Sequence, residues 1–583
     1  MTPVHFGQAG ELFGFYHPPM GPSRDAVVVL CGSHGDEMIC THRTLRELAK
    51  RLATHGFSVL RFDYHGVGDS LGSDRDPARV AAWKASITQA CDEARRRSGT
   101  ARLHVFGVRL GALLAPFATR DRTDLASLVL WSPIARGRIF VRELQALNAM
   151  SAGTEWEVKP SSALLPGDAE AGGFLLTKET IDDLGQVDLL KLDRTPAKRI
   201  LLIGRDELPT DERLAAHLTA RCPVVEQRVA VGYAGMMTSR HNAKVPVNVI
   251  DQVCDWLTSI EPVARGASQP SPYDPSATHD EANGFTETAF HFGPASRLFG
   301  ILTTPALIPS ARNERAAIVM MTIGANPHYG SNGIYVRWAR HFASLGFTSL
   351  RFDISGIGES DPAEGESASQ PYPKAATADI TAALNDLRDK GHKRFVLIGL
   401  CSGGYHAFKT AIDDPSVAAA MIINAQTFDY REGDTLDVTR THWQAVSATE
   451  QYKRSLFSLD KWRKVLRGDV NLVGVLDVVR KRASSVVKAR LANLFQQPRG
   501  DSRSAFAGAF AKLCDRGTDV FMVFSTKDPG LDYLRLHAQR EVDALAGHPR
   551  FKFVEISGPD HTFTPLWSQL DLEERIVEHL KRV

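Results

Sequence analysis

Short apolar runs alternate with amphipathic segments along the second half of the chain. Residues 316–323 (AAIVMMTI), 348–354 (TSLRFDI) and 394–400 (RFVLIGL) are continuous apolar runs, which is typical of strands buried on both faces of a sheet. Residues 335–346 (YVRWARHFASLG) and 376–391 (ATADITAALNDLRDKG) show a helical pattern. This alternation predicts a mostly parallel β-sheet with helices on both faces, which is an α/β fold.

The chain repeats itself in the same order. Residues 5–14 (HFGQAGELFG) match residues 291–300 (HFGPASRLFG) at an offset of 286. Residues 56–70 (GFSVLRFDYHGVGDS) match residues 346–360 (GFTSLRFDISGIGES) at an offset of 290. Internal repetition at a nearly constant offset predicts two homologous domains.

A third match is a turn flanked by glycines. Residues 399–403 (GLCSG) and 107–111 (GVRLG) each follow an apolar run, at an offset of 292. Glycine, any residue, nucleophile, any residue, glycine is the pattern of a nucleophile elbow. We therefore expect domains at residues 1–260 and 285–583, joined by a linker at 261–284 that is rich in Pro, Ser, Ala and Asp.

The second half resembles the α/β-hydrolase superfamily. The motif RFDxxGxGxS is followed by GxCxG, by an apolar strand leading to aspartate, and by Gly-x-x-His. The resemblance extends over almost all of both halves, and we interpret the RFDxxGxGxS turn as structural. In that superfamily the catalytic triad runs nucleophile, acid, histidine along the chain. The resemblance implies Cys401, Asp528 and His561 in these roles, with a helical lid inserted at about residues 428–515.

The positions of the acid and the histidine fit this interpretation. Asp528 follows the apolar run 519–525 and His561 follows the run 551–556, and carboxyl ends of parallel strands are where such sheets place their sites. His561 would deprotonate Cys401 or hold it as a thiolate, and Asp528 would fix the imidazole tautomer. No metal or redox cofactor is expected for this chemistry.

Several roles stay open at the level of sequence. The oxyanion hole is expected from the backbone N–H of Ser402 and from the loop near Gly324 or Ala325. Asp532 is a second candidate acid. Ser402 is a poor candidate nucleophile because the flanking glycines bracket Cys401. A buried cysteine can also be an inert small hydrophobe.

The first half lacks most of this chemistry. Arg109 stands at its elbow and cannot act as a nucleophile. Asp206 keeps the acid position, but Gly235 stands where the second half has its histidine, and His241 lies six residues further on. The first half is therefore predicted to be a degenerate domain that supports, covers or recruits. Arg109 could bind an anion there or form a structural ion pair.

Composition places the chain among ordinary globular proteins. Of 583 residues, 43% are hydrophobic and 23% are charged, with a net charge of +2 that gives no reason to expect nucleic acid binding. Seven cysteines without zinc spacing fit a reduced cytoplasm. We expect no signal peptide and no transmembrane helix, because the required apolar stretches are missing.

Charge is unevenly distributed. Residues 451–503 hold 13 Lys or Arg against 4 Asp or Glu, which favours an acidic partner such as an acyl carrier protein, or the phosphates of coenzyme A. A solvated surface or peripheral contact with a membrane would also fit this stretch.

Cysteine at the elbow favours acyl transfer, because attack on a thioester yields another thioester. Polyhydroxyalkanoate synthases have a similar GxCxGG box, and dienelactone hydrolases also use a cysteine elbow. The expected function is acyl transfer from a carrier-bound or coenzyme A thioester. The alternatives are hydrolysis of activated esters or thioesters, and a binding protein without catalysis. The acyl group, the acceptor, the oligomeric state and the way the two domains meet are left open.

Overall fold

The computed structural model describes residues 1–152, 156–195, 197–206, 208–238, 242–264, 278–280, 284–306, 315–430 and 502–583. Most of the predicted lid, nearly all of the basic stretch 451–503, much of the linker and His241 lie outside these residues. Within the described ranges, no helix has the length and apolar character needed to cross a bilayer.

The N-terminal sheet is mostly parallel, with its first two strands antiparallel, in the order β1-β2-β4-β3-β5-β6-β9-β10. The strands of this half, including a separate hairpin of β7 and β8, are β1 Thr2–Phe6, β2 Leu12–His17, β3 Ala26–Cys31, β4 Ser58–Phe62, β5 Arg102–Val108, β6 Leu125–Trp131, β7 Ala169–Ala171, β8 Phe174–Leu176, β9 Arg199–Arg205 and β10 Val224–Ala230. Its helices are α1 Asp36–Thr54, α2 Arg79–Ser98, α3 Leu110–Ala118, α4 Gly137–Ser151, α5 Lys178–Gln186, α6 Glu212–Thr219, α7 Tyr233–Met236 and α8 Val247–Ile260.

The C-terminal sheet repeats this plan. Its strands are β11 Thr278–Asp280, β12 Phe285–Phe292, β13 Leu298–Pro305, β14 Ala317–Met321, β15 Ser349–Asp353, β16 Phe395–Leu400, β17 Val417–Ile423, β18 Asp519–Ser525 and β19 Phe551–Ile556. The helices described are α9 Ile334–Ser344, α10 Ala376–Asp389, α11 Ser402–Asp413, α12 Ser502–Arg516, α13 Pro529–Ala544 and α14 Leu566–Leu580. The order β11-β12-β13-β15-β14-β16-β17-β18-β19 differs from the first sheet only by the additional β11. The predicted α/β architecture, present twice, is confirmed.

The central strands are apolar throughout because both of their faces are covered. In β16, Leu397 packs into a cluster that includes Leu384 of α10, whereas its neighbour Ile398 packs into a cluster that includes Trp338 of α9. Successive side chains of a strand point to opposite faces, so a strand covered on both sides needs apolar residues at every position.

The last part of the predicted lid has a different place in the structure. Residues 502–516 form α12, and its side chains Phe510 and Leu513 are buried in the core of the C-terminal domain. Phe510 packs against Phe408 of α11, with ring centroids 5.0 Å apart. This segment therefore belongs to the helical layer of the sheet rather than to a lid over it.

The two domains meet through their antiparallel strands. Phe13 and Phe15 of β2 form one buried cluster with Phe299 and Ile301 of β13. The rings of Phe15 and Phe299 lie 5.1 Å apart at an edge-on angle of 66°. Burial of aromatic residues from both domains contributes hydrophobic free energy to this contact.

The RFDxxGxGxS turns surround this cluster with ion pairs between the domains. Arg61 donates to Glu359, with 2.6 Å from Nη1 to Oε1, and Arg351 donates to Asp69. The two arginines are equivalent positions of the repeat, and so are the two carboxylates. Each domain therefore uses the same surface toward the other, as in an isologous two-fold dimer. The turn is structural, as predicted, and its charged residues also join the domains.

His328 is a charged centre of this contact. Its Nε2 lies 2.8 Å from Asp69 of the first domain, and its Nδ1 lies 2.8 Å from Asp353 of the second. Burial opposes protonation, but the carboxylates of Asp353 and Asp69 outweigh it and raise the pKa of His328 to about 10. The imidazolium therefore joins a carboxylate from each domain at neutral pH.

This histidine predicts a stability that falls at alkaline pH. A raised pKa in the folded state contributes stability that is complete below the unfolded value of about 6.5 and is lost as the pH rises through about 10. Between pH 7.5 and 10, urea unfolding should show a steeper loss of free energy of unfolding for the wild type than for His328→Gln. Parallel curves for the two proteins would contradict the assignment of charge to His328.

Candidate active site

Cys401 occupies a sharp turn between β16 and α11. Its backbone has φ 59° and ψ −123°, which is strained for a residue with a side chain. A Cβ on Gly399 would lie 2.0 Å from the carbonyl oxygen of Gly403, and a Cβ on Gly403 would lie 2.9 Å from the carbonyl oxygens of the β14 end. The two glycines are therefore required for the close approach of helix and strands, and they leave Cys401 partly exposed at the turn.

The structure brings Cys401, His561 and Asp528 together. The Nδ1 of His561 lies 2.5 Å from Oδ2 of Asp528, and Cys401 is near enough to the imidazole to influence its pKa. Burial opposes protonation of His561, but the Asp528 carboxylate and the nearby Cys401 outweigh it and raise the pKa of His561 well above 6.5. These neighbours therefore favour the protonated imidazole.

Asp528 is the acid that contacts the histidine. It is buried, and its Oδ1 accepts a hydrogen bond of 2.8 Å from the backbone N–H of Gly530 at the start of α13. The carboxylate is thereby fixed with its other oxygen toward His561. Asp532 lies one turn further along the same helix, so the geometry favours Asp528 over it.

Two amides near His561 have no counterpart in the sequence prediction. Asn424, directly after β17, donates from Nδ2 to the carbonyl oxygen of His561 at 2.7 Å. Gln426 places its Nε2 3.3 Å from Nε2 of the histidine. Asn424 anchors the backbone of the histidine, and only its position after a central strand could have indicated a role.

The predicted oxyanion donors are not equivalent in the structure. The N–H of Gly324 donates to the Oγ of Ser402 at 2.9 Å, and Ser402 is fully buried. The N–H of Ser402 is the first of α11 and has no intrahelical acceptor. Among the described residues no hydrogen bond occupies the N–H of Ala325. The geometry favours the backbone N–H groups of Ser402 and Ala325 as the oxyanion donors. The hydrogen bond from Gly324 directs the Ser402 hydroxyl away from the position of a nucleophile.

An aromatic cluster lies beside the elbow. Tyr372 stacks on Tyr430 at 4.3 Å between ring centroids and meets Tyr405 edge-on at 5.4 Å. Within the part of the chain that the structure describes, the buried hydroxyl of Tyr372 has no hydrogen-bond partner. Burial, and next the electrostatic influence of the neighbouring Cys401, raise the pKa of Tyr372 well above 10. Tyr405, four residues after Cys401 on the helix, could have been found from spacing, but Tyr372 could not.

The first domain has the same sharp turn, with arginine at its centre in place of cysteine. Arg109 has φ 54° and ψ −112°, nearly the values of Cys401. Its buried guanidinium pairs with Glu37 at 2.9 Å and with Glu143. The two carboxylates satisfy the charge, which favours a structural ion pair over the binding of an external anion.

The remaining positions of that degenerate site have become structural as well. Asp206 accepts hydrogen bonds from the backbone N–H groups of Gly232, Tyr233 and Ala234 at the start of α7. Gly235 lies inside this short helix. Asp206 therefore caps a helix at the place where the other domain has the loop that carries His561.

Comparison with known proteins agrees with this architecture. Residues 22–194 match the family described as "Serine aminopeptidase, S33", and residues 323–529 match the family described as "alpha/beta hydrolase fold". No curated protein matches the chain.

Solved structures that resemble the chain include three proteins of low sequence identity. Est1E from Butyrivibrio proteoclasticus is 15% identical, with a TM-score of 0.33, over 44% of this chain and 98% of its own. A proline iminopeptidase from Mycobacterium smegmatis is 17% identical, with a TM-score of 0.31, over 44% of this chain and 97% of its own. XC6422 from Xanthomonas campestris, titled an a/b serine hydrolase without lid, is 14% identical, with a TM-score of 0.29, over 45% of this chain and 94% of its own. The two family matches, one in each half, and the repeated strand order show that the chain has two domains of the α/β-hydrolase fold in tandem.

Proposed function

We propose that the C-terminal domain transfers acyl groups from thioesters through a covalent acyl-Cys401 intermediate. The observations that carry the proposal are the pairing of His561 with Asp528 and the place of Cys401 at a strained elbow, near enough to His561 to raise the pKa of the imidazole. A cysteine held in this way is an activated nucleophile, because the imidazolium stabilises the thiolate.

The first half-reaction forms the intermediate. The Cys401 thiolate attacks the carbonyl carbon of the thioester, and the resulting oxyanion accepts hydrogen bonds from the N–H groups of Ser402 and Ala325. Collapse of this intermediate breaks the bond to the leaving sulfur, which takes its proton from His561. The acyl group then remains on Cys401 as a thioester.

The second half-reaction releases the acyl group. The acceptor, an alcohol, amine or thiol, loses its proton to His561 and attacks the acyl-cysteine. Cys401 leaves as a thiolate, the imidazole is an imidazolium again, and the starting state is restored. With water as the acceptor the same steps amount to hydrolysis.

The residues beside Cys401 and the charge of the chain favour a particular class of substrate. The cluster of Tyr372, Tyr405 and Tyr430 offers an aromatic wall and an unpaired hydroxyl beside the nucleophile, which suits an acyl group with a polar substituent. An acidic carrier protein or coenzyme A is the proposed donor, on the charge of residues 451–503 in the sequence.

Two other functions remain candidates. Hydrolysis of activated esters or thioesters is compatible with the fold and differs from transfer only in the acceptor. A binding role without turnover would require that Cys401 be unreactive. The same experiment separates all three.

The test is intact-protein mass spectrometry after mixing with a panel of acyl-CoA and acyl-carrier thioesters. We expect a mass gain equal to the acyl group in the wild type and none in Cys401→Ala, which keeps the six other cysteines, all buried. Free acid formed as fast with water as with any added acceptor would favour hydrolysis. The absence of adduct, turnover and iodoacetamide labelling at neutral pH would overturn the enzymatic proposal in favour of a binding role.

A further inference from the structure

The degenerate domain touches the loop that carries His561. We name residues 156–176 of the N-terminal domain the docking segment and residues 557–565 of the C-terminal domain the histidine loop. The backbone N–H of Glu157 donates to the carbonyl oxygen of Gly558 at 2.7 Å. The Nζ of Lys159 donates to the carbonyl oxygen of Ser557 at 2.5 Å. These contacts hold the beginning of the histidine loop.

Trp567 extends this contact just beyond the loop. Its indole Nε1 donates to the carbonyl oxygen of Glu157 at 3.2 Å, and the Lys159 ammonium lies 4.3 Å from the ring centroid, within the range of a cation–π interaction. Gly558 has φ 103°, and a Cβ there would lie 2.7 Å from Oε2 of Glu157. The segment and the loop therefore approach as closely as glycine allows.

The β7–β8 hairpin holds the other end of the loop. The buried side chain of Gln569 donates from Nε2 to the carbonyl oxygen of Gly173 at 3.0 Å and to that of Thr564 at 2.6 Å. Glu170 accepts a hydrogen bond of 3.3 Å from the N–H of Leu566, the first residue of α14. One amide side chain thus joins the hairpin turn directly to the end of the histidine loop.

The loop transmits these contacts because it is internally tied. Asp560 accepts from the backbone N–H and from the hydroxyl of Thr564, both at 2.7 Å. His561 lies between the end held by Glu157 and Lys159 and the end held by the hairpin. Within its own domain His561 contacts Asp528, Asn424 and Gln426.

We propose that the docking segment of the degenerate domain positions His561 for catalysis, so that the N-terminal domain is a structural part of the active site of the C-terminal domain. The inference rests on the proposed function in one respect, the pairing of His561 with Cys401. Among the described interactions, no hydrogen bond, ion pair or ring contact joins the docking segment to Cys401 or Asp528. Its residues act through the histidine loop as positioning residues.

The turn of the hairpin offers a matched pair of variants. Gly172 and Gly173 have φ values of 57° and 81°, so alanine at either position meets a similar backbone strain. At Gly173 the new Cβ would lie 2.5 Å from the carbonyl oxygen of Thr564 in the histidine loop, whereas at Gly172 its nearest neighbour is Cβ of Asp36 at 3.6 Å. Gly173→Ala displaces the loop, and Gly172→Ala is its control.

The readout is the rate of Cys401 alkylation by iodoacetamide as a function of pH, followed by peptide mapping on the full-length protein. In Gly173→Ala we expect the rate at pH 7 to fall by about tenfold or more, because a displacement of about 1 Å has effects of this order, and the pH profile to move to higher pH. Gly172→Ala should follow the wild type. Thermal unfolding verifies that both variants are folded.

A second variant and a reference variant keep the outcomes distinct. Lys159→Met keeps the aliphatic part of the side chain and loses the ammonium group. It should move the pH profile of alkylation in the same direction, and it provides the test if Gly173→Ala does not fold. Wild-type profiles for the folded loop-displacing variants overturn the inference and leave the proposed function standing. If His561→Ala itself has the wild-type profile, Cys401 is not paired with His561, and both the proposed function and the inference are wrong.

Discussion

Replacing His561 with alanine is expected to slow acylation of Cys401 by at least about 10³-fold, since general acid–base catalysis by a triad histidine contributes on this scale. In the proposed mechanism the side chain of His561 stabilises the thiolate, gives its proton to the leaving sulfur and takes the proton of the acceptor. In the wild type the Asp528 carboxylate pairs with Nδ1 of His561 at 2.5 Å. In the variant this carboxylate would have no imidazole partner.

The measurement is single-turnover acylation, with the donor that labels Cys401 most rapidly or with p-nitrophenyl acetate as an activated ester. His341→Ala is the control, because that histidine lies on α9, is 43% exposed and pairs with Glu573. The control should retain the wild-type rate. A His561→Ala protein that keeps more than about a tenth of the rate would exclude His561 from the role assigned to it.

Replacing Glu359 with glutamine is expected to lower the free energy of unfolding by about 3–5 kcal/mol, the usual range when one partner of a buried ion pair is removed. The carboxylate has no exposed surface and contacts Arg61, Arg46 and His42, whose side chains are each less than a tenth exposed. Burial opposes its ionisation, but Arg61 and His42 hold the pKa of Glu359 well below its usual value. A neutral amide leaves the buried guanidinium of Arg61 without its counter-charge between the domains, whereas Arg46 keeps its pair with Asp361.

Urea unfolding checks this prediction against two further variants. Asp251→Asn breaks a pair with Arg51 in which both side chains are about half exposed, and such pairs contribute about 0–1 kcal/mol. The double variant Arg61→Met/Glu359→Leu should be more stable than Glu359→Gln, because it removes buried charge from both sides. A loss below about 1 kcal/mol for Glu359→Gln would mean that the network does not hold the domains together.

The comparison of the two elbows separates the fold from the chemistry. Arg109 and Cys401 share an unusual backbone conformation, although only one of them can attack a substrate. A Cβ on Gly111 would lie 2.2 Å from the carbonyl oxygen of Cys31, so the sharp turn is required for the helix to pack on the sheet. The elbow is therefore retained in the degenerate domain by packing, whatever side chain it presents.

The sequence by itself determined the two repeats, the α/β architecture and the elements that carry Cys401, Asp528 and His561. These features depend on local patterns: strands covered on both faces need uninterrupted apolar runs, and a sharp elbow needs glycine at fixed spacing. The apolar runs named in the sequence match β14, β15, β16, β18 and β19 closely for this reason.

Only the tertiary structure decided which side chains meet. It paired His561 with Asp528 rather than Asp532, directed the Ser402 hydroxyl to Gly324 and neutralised Arg109 with Glu37 and Glu143. It also brought the RFDxxGxGxS turns of both domains into one buried network and set the docking segment against the histidine loop. Such contacts join residues that lie up to about 400 positions apart, and they depend on burial and approach in three dimensions, which leave no periodic pattern along the chain.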